Sequence, residues 1–347
     1  MKSLRVGLLI VQEGPPAIWA PSAQACAELA VHELNAQGGV LGRPVDLLVI
    51  DAGPTWRSAA EAAREAVGEG GVDAIVGMLP SYARSPVAYA IDGRAPFIYT
   101  PQYEGFEGDG RIVTTGETSA ELLGPALRWL TDEKRAQKFF FCGSDYIWPR
   151  ATCAVARALI QGMGGRTLGE MFLPIDPPDF DLVIETIRRL NPDVVAPYFL
   201  GADLVRFNRA FAEAGLHRTT LRYSSGIDET IIYGAQEDAN ENLFASSAYY
   251  GAARTRNNQA FLERYHTLHG ESPPPASSFG QSSYEGVHCW AALAEASGGL
   301  TPAHLREKVG RTRLPRTARG GAVAGGRHPI YVAEARGYDF GIIAQSR

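Results

Sequence analysis

A chain of 347 residues with 45% hydrophobic and 20% charged residues has the composition of a folded globular protein, too polar for a membrane-spanning one and long enough for two domains of about 150 residues. Its formal net charge of −5 argues against a general nucleic-acid binder, because such domains carry a basic excess. A small, roughly neutral solute is the easier partner to accommodate.

The chain opens with Lys2 and Arg5 ahead of an apolar run, which superficially resembles a secretion signal. The run is shorter than the ~7–15 residues of a signal core, and Gln12-Glu13 stand where a small-residue cleavage site belongs. It predicts a first buried strand over Leu4–Ile10, and with it a cytoplasmic protein; a leader removed from ahead of Met1 would make it periplasmic. Helical and strand-like runs then alternate: a helix at 22–35, a strand at Val45–Asp51, a helix at 58–67, a strand at 74–77, a helix at 85–92 and a strand at 96–99. This is the pattern of a parallel, doubly wound sheet. After a loop it restarts with strands at 138–142, 167–172, Val194–Tyr198 and Leu221–Ser224, and helices at 151–163, 180–190 and 204–214. The expected fold class is therefore α/β with two Rossmann-like lobes. Beyond Tyr250 the composition turns loop-like, then predicts helices at 259–269 and 284–297 with no apolar strand after them. Such a pair can pack back on the first lobe, so that the chain crosses between lobes more than once.

The segment GGVLGRP from Gly38 to Pro44 lacks the GxGxxG order and lies between a helix and a strand, which makes it a tight turn rather than a dinucleotide site. Cys26, Cys142, Cys153 and Cys289 form no CxxC pair and read as buried or free thiols. Between Arg306 and Arg327 seven basic residues (Arg306, Lys308, Arg311, Arg313, Arg316, Arg319, Arg327) face one acid, Glu307. That stretch predicts a solvated loop, with a partner- or anion-binding surface as the alternative. Catalytic signatures are missing: there is no GxSxG elbow and no Walker loop, and His32-Glu33 lacks the second histidine of a zinc motif. His266 and His269 share a helix face without a third ligand. Ser144-Asp145 has no histidine to relay between them. The expectation is no enzyme, no cofactor and no metal.

What recurs is polar and aromatic residues just after strand ends, where α/β sheets collect ligands. Ser81 follows the strand at 74–77 at a helix N-terminus; Tyr99, Thr100, Gln102 and Tyr103 follow the next. Tyr146 and Trp148 follow 138–142, Tyr198 ends its strand, and Ser225 and Asp228 follow Leu221–Ser224. Each alone reads better as a cap or a core aromatic, but five strand ends together, on two lobes, fit a cleft binding site.

Several motifs carry a resemblance. GGVLGRPVDLLVIDAG, YEGFE and above all GSDYIWPR resemble segments of the type I periplasmic-binding-protein superfamily, leucine/isoleucine/valine-binding-like, and most closely its amide and urea branch: the short-chain amide sensors of amidase operons and the urea receptors. EGPPAIWAPS, which contains Trp19, resembles the first ligand loop of branched-chain amino-acid binders. The resemblance runs from the first strand to about residue 300. It implies two lobes joined by three crossover segments, with lobe I at 1–120 plus 250–325 and lobe II at 121–249 plus 326–347, and a ligand clamped by lobe closure. It implies Ser81 as donor to a ligand carbonyl or carboxylate, Tyr99 and Tyr103 near the first-lobe wall, and Tyr146 with Trp148 as the second-lobe lid. Leu79 departs from the tyrosine of the amide sensors, and Thr100 stands in a scrambled Tyr-Pro order. Asp228 occupies the region where amino-acid binders set an acid against the ligand ammonium; its other reading is the cap of a helix starting at Glu229.

The expected function is a solute-binding protein for a short amide, urea or similar small ligand, most simply a cytoplasmic sensor that passes closure to a regulator, as amidase-operon sensors sequester an RNA-binding antiterminator. The alternative is the receptor of an ABC importer for amides, urea or amino acids, with a permease as partner. Neither reading involves direct nucleic-acid binding or a membrane span, and both allow a homo-oligomer.

Overall fold

The first apolar run folds as its sequence predicts: β1 (Leu4–Ile10) is buried at all but one position, and Gln12 and Glu13 fall beyond its end. The computed structural model describes residues 2–346 except Phe106, Gln236, Pro315, Arg316, Gly321 and Ala322, and the side chain of Asp238. After β1 come α1 (Ala20–Ala36), β2 (Val45–Asp51), α2 (Trp56–Gly68), β3 (Ala74–Met78), α3 (Ser81–Ile91), β4 (Phe97–Tyr99) and β5 (Ile112–Thr114). Next are α4 (Ser119–Glu133), β6 (Lys138–Ser144), α5 (Ile147–Gly162), β7 (Arg166–Leu173), α6 (Asp181–Leu190), β8 (Val194–Tyr198), α7 (Ala202–Glu213), β9 (Leu221–Ser224), α8 (Glu229–Gly234) and β10 (Leu243–Ser247). The chain ends with α9 (Arg256–His269), α10 (Ser278–Ser297), α11 (Pro302–Arg306), β11 (Tyr331–Arg336) and β12 (Asp339–Gln345).

These elements form an α/β fold of two compact units. Unit 1 holds the stretch ending at Glu13, Trp19–Glu117 and Arg254–His328; unit 2 holds Gly14–Ile18, Thr118–Ala253 and the chain from Pro329 on. The sheet of unit 1 has the order β2-β1-β3-β4-β5, all parallel. That of unit 2 has the order β12-β11-β10-β9-β8-β6-β7, parallel from β10 to β7 and antiparallel at β10–β11 and β11–β12. The short stretch Gly14–Ile18 belongs to unit 2 because Gly201, at φ 54°, brings its backbone against Pro15 too closely for any side chain.

In unit 1, α1 packs along α10, and an added Cβ at Gly280 would collide with Ser22. Ser22 Oγ in turn donates to Pro275 O at 2.6 Å. The other face is the cluster in which α2 and α3 cover Ile75, Phe97 and Tyr99. In unit 2, α4 and α5 cover Phe139, Phe141, Val194 and Ala196.

Two stretches correct the sequence reading. The expected loop between the lobes contains β5 and α4. Helix α4 carries Pro125, yet a capping box starts it: Glu121 N donates to Thr118 Oγ1, and Thr118 N to a Glu121 carboxylate oxygen. The tail does hold strands. Buried and partly buried positions mix along β11 and β12 instead of forming an apolar run, and the pair turns through Gly337 at φ 63° as an antiparallel hairpin.

Candidate functional site

In unit 2 the neighbouring parallel strands β9, β8 and β6 deliver their C-terminal ends side by side, the end of such a sheet at which ligands bind. Leu200 N donates to Ser144 Oγ at 3.0 Å and ties the ends of β8 and β6 together. Tyr146 is the extended residue before α5, and its ring stacks on Trp148 with centroids 6.4 Å apart. Trp148 meets Tyr198 edge-on at 5.6 Å. Helix α5 starts at Ile147, so Pro149 sits inside its first turn, where a missing N–H forfeits no intrahelical bond. Over Trp148 lies the loop after β9: an added Cβ at Gly226 would stand 3.4 Å from Trp148 Cη2, and Gly226 N donates to Ser224 Oγ at 3.1 Å. Ser225 is buried in the same loop.

Trp148 and Tyr198 belong to the apolar core of this unit, at 6% and 0% exposure, so their rings pack. Their polar atoms are a separate matter. Among the described residues neither Trp148 Nε1 nor the Tyr198 hydroxyl has a hydrogen-bond partner. A buried donor left so costs about 1–3 kcal/mol, and native structures seldom leave one without a reason.

Asp228 caps α8, its Oδ1 accepting from Ile231 N at 3.3 Å. The next residue, Glu229, was not singled out in the sequence. Its Oε1 accepts from Gly251 N at 2.7 Å, whereas its buried Oε2 has no partner among the described residues. Burial, and then the neighbouring Asp228 charge, push the Glu229 carboxyl up to about 8. The segment it grips, Tyr249 to Gly251, follows β10 as a further strand end; the run LFASSAYYG holds the same strand-then-ring signal as the ends of β6 and β8.

In unit 1, Trp19 packs on Phe279 with ring centroids 4.3 Å apart, at the starts of α1 and α10. Ser81 is the first residue of α3, after Pro80, and its Oγ lies 3.5 Å from the Tyr99 hydroxyl. Tyr99 donates to Leu79 O at 2.8 Å. The Thr100 hydroxyl donates to Gly77 O at 3.3 Å, and its methyl lies where a side chain at Gly286 of α10 would be. Gln102 is half-buried. Tyr103 meets Tyr99 edge-on at 6.4 Å, and its hydroxyl is 3.4 Å from Thr114 Oγ1. Arg84, one turn after Ser81, lies 5.1 Å from the Tyr99 ring and 5.0 Å from that of Tyr103, and pairs with Glu104 at 2.6 Å and Glu107 at 2.7 Å. Its signal was an arginine i+3 from Ser81 followed by the two acids of YEGFE; Phe106 of that motif lies outside the described residues.

The basic segment is not simply a solvated loop. Arg311 and Arg313 are exposed, but the Arg319 side chain is only 3% accessible and pairs with Glu117 and, at 2.8 Å, with Glu285. His328 Nδ1 is 3.0 Å from Glu117. Arg316 lies outside the described residues. Elsewhere Glu33 is buried against Arg264, the Tyr284 hydroxyl and His288. His266 faces Gly270 O at 3.1 Å and His269 faces Ala25 O at 2.8 Å. Among the described residues no group of three or more His, Cys, Asp or Glu is placed to hold a metal ion. The four cysteines are buried and unpaired.

A match to the family described as periplasmic binding protein spans residues 3–336. The chain belongs to that family. Solved structures agree in fold. The branched-chain amino-acid transporter substrate-binding protein LivJ from Streptococcus pneumoniae, in complex with isoleucine, is 16% identical, with 99% of each chain covered and a TM-score of 0.86. The leucine-binding protein LivK from Thermotoga maritima is 17% identical over 99% of this chain and 98% of that one, at 0.86. An ABC-transporter solute-binding protein from Rhodopseudomonas palustris HaA2, in complex with p-hydroxybenzoic acid, is 18% identical over 100% of this chain and 97% of that one, at 0.88. This periplasmic binding protein therefore has the type I fold and falls in the solute-binding class, with no narrower branch singled out. Among its described residues no helix is long and apolar enough to cross a membrane.

Proposed function

We propose that this periplasmic binding protein is the solute receptor of an ABC importer, works outside the cytoplasm, and takes a small carboxylate on an apolar body. The observation that carries the reading is the strand-end wall of unit 2: three aromatic rings, Tyr146, Trp148 and Tyr198, of which two bury donors with no protein acceptor among the described residues. The half-buried Tyr146 ring suits an apolar body, and the unpaired donors of Trp148 and Tyr198 suit the oxygens of a carboxylate. Isoleucine and p-hydroxybenzoic acid, the ligands of two of the relatives above, share that chemistry. We assign solute contact also to Ser225 and Asp228 in unit 2 and to Trp19, Ser81, Tyr99, Thr100, Gln102 and Tyr103 in unit 1. The amide and urea reading rests on motif resemblance alone, and the importer reading is better supported by the relatives.

Thermal shift and calorimetry with benzoate, 4-hydroxybenzoate, isoleucine, leucine, acetamide and urea test this. A solute at about 100 times its Kd adds about 2.7 kcal/mol of stability. Carboxylates are expected to raise the melting temperature; a response to acetamide or urea alone restores the amide reading, and a flat response to all overturns solute binding by this set. Tyr146→Ala is expected to weaken the best solute by about 1–3 kcal/mol while the free protein melts unchanged. Normal affinity with early melting assigns the ring to packing.

A further inference from the structure

Among the described residues Glu229 is a buried acid without a cation. The residue is 6% exposed, and among the described residues no Lys, Arg or His pairs with it. The ionisable groups felt by its carboxyl are Asp228 at the cap of α8, Asp339 at the start of β12, Tyr233 on α8 and Tyr250 after β10. Two of these are acids and two are tyrosines whose hydroxyls burial pushes up. Ionising Glu229 would add a negative charge to a buried, already negative corner, which costs several kcal/mol. The neutral form fits the geometry: Oε1 keeps the hydrogen bond from Gly251 N, and the proton resides on Oε2, the oxygen with no protein partner. Glu229 then matches Trp148 Nε1 and the Tyr198 hydroxyl as a buried donor without an acceptor. All three follow or end the neighbouring strands β9, β6 and β8 at the same end of the sheet.

We propose that Glu229 is held as a neutral carboxylic acid and donates a hydrogen bond from Oε2 to an oxygen of the solute, so that unit 2 selects a carboxylate without an ammonium group and releases it as pH rises. This rests on the solute-receptor reading and narrows it. Three buried donors call for acceptor oxygens, which a carboxylate brings and an ammonium does not; the one base beside them, the Asp228 carboxylate, is already engaged as the cap of α8. An ionised Glu229 would both lose its donor and repel the solute.

The test uses the full chain, with benzoate and leucine as probes, titrated by calorimetry from pH 6.5 to 9. If only the protonated form binds, a site that titrates near 8 loses about tenfold in benzoate affinity between pH 7 and pH 9. Glu229→Gln keeps an N–H donor and an acceptor for Gly251, so its benzoate affinity is expected to stay flat over that range. Wild-type protein supplies a measurement independent of any variant: at pH 8, calorimetry in two buffers of different ionisation enthalpy is expected to show up to about half a proton taken up per benzoate bound. Zero uptake, or the same pH profile in wild type and Glu229→Gln, overturns the proposal. So does leucine binding where benzoate does not, which leaves the receptor reading standing. If neither probe nor any other carboxylate binds, both readings fall together.

Discussion

Glu285 in unit 1 and Glu229 in unit 2 are buried on helices to nearly the same degree, and their surroundings drive them in opposite directions. Burial raises both carboxyls. At Glu285 the charge and hydrogen bond of Arg319, with the nearby His328, outweigh burial and hold the acid well below the usual range. At Glu229 the next influence is another acid, Asp228, which adds to the effect of burial. His328 completes the unit 1 cluster: burial and Arg319 press it down, but Glu117, 3.0 Å from Nδ1, and the Glu285 carboxylate, 3.6 Å from Nε2, prevail and raise it. A charge-compensated cluster is a piece of architecture. It ties Glu117 and His328, two of the residues at which the chain leaves unit 1, to α10 and to each other. A buried acid with no compensating cation calls for another explanation, and solute chemistry supplies one.

The sharpest way to break this contrast is to make unit 1 resemble unit 2. Arg319→Met removes the cation and leaves Glu117 and Glu285 buried with only His328. A broken buried pair costs about 3–5 kcal/mol, so the variant's urea midpoint at pH 7 is expected to fall accordingly. A loss below about 1 kcal/mol would show that the cluster is hydrated and the contrast false.

The second experiment removes the charge problem from unit 2. A carboxyl raised from 4.5 to about 8 on folding contributes a stability that is complete below its unfolded pKa and is lost as pH rises through its folded one. Wild-type stability should therefore fall between pH 4.5 and pH 8 relative to Glu229→Gln, which does not titrate. The variant is expected to match wild type near pH 4.5 and to exceed it at pH 8.5 by roughly 2–4 kcal/mol. Urea denaturation of both proteins at four pH values measures the difference, and parallel curves would mean that Glu229 is ionised at a normal pKa.

How far the sequence reached follows the same division between local and long-range causes. Alternating apolar runs and helices were legible because a buried parallel strand such as Val194–Tyr198 must be apolar on both faces. The short β5 and the half-buried β11–β12 hairpin carry no such run. The unit 2 rings were legible because they follow strand ends within a few residues. Their neighbours on the sheet were not, since the order β9-β8-β6 is set by pairing between segments far apart in the chain. Arg319 read as one basic residue among seven because its partners, Glu117 and Glu285, lie 202 and 34 positions away. Glu229 was overlooked beside Asp228 because only burial, and not its identity, distinguishes it from an ordinary first-turn glutamate.

Asp228→Asn makes the smallest and most discriminating change. Asp228 is fully buried and caps α8 through Oδ1. Asparagine caps a helix as well as aspartate does, so the free protein is expected to lose less than about 1 kcal/mol. The effect on binding depends on the solute. If Asp228 were the counter-ion of a solute ammonium, removing its charge would strand that ammonium and cost about 3–5 kcal/mol of affinity. For a carboxylate held by donors there is no such charge to strand, and the expected change in benzoate affinity at pH 7 is about 1 kcal/mol or less. The variant also carries a signature in the pH profile. The Asp228 charge is one of the influences that keep Glu229 protonated, so neutralising it eases the ionisation of Glu229. The pH at which benzoate affinity begins to fall should therefore move down in Asp228→Asn, while Glu229→Gln removes the fall altogether. A profile unmoved by Asp228→Asn would separate the two acids and leave burial alone as the cause of the Glu229 proton.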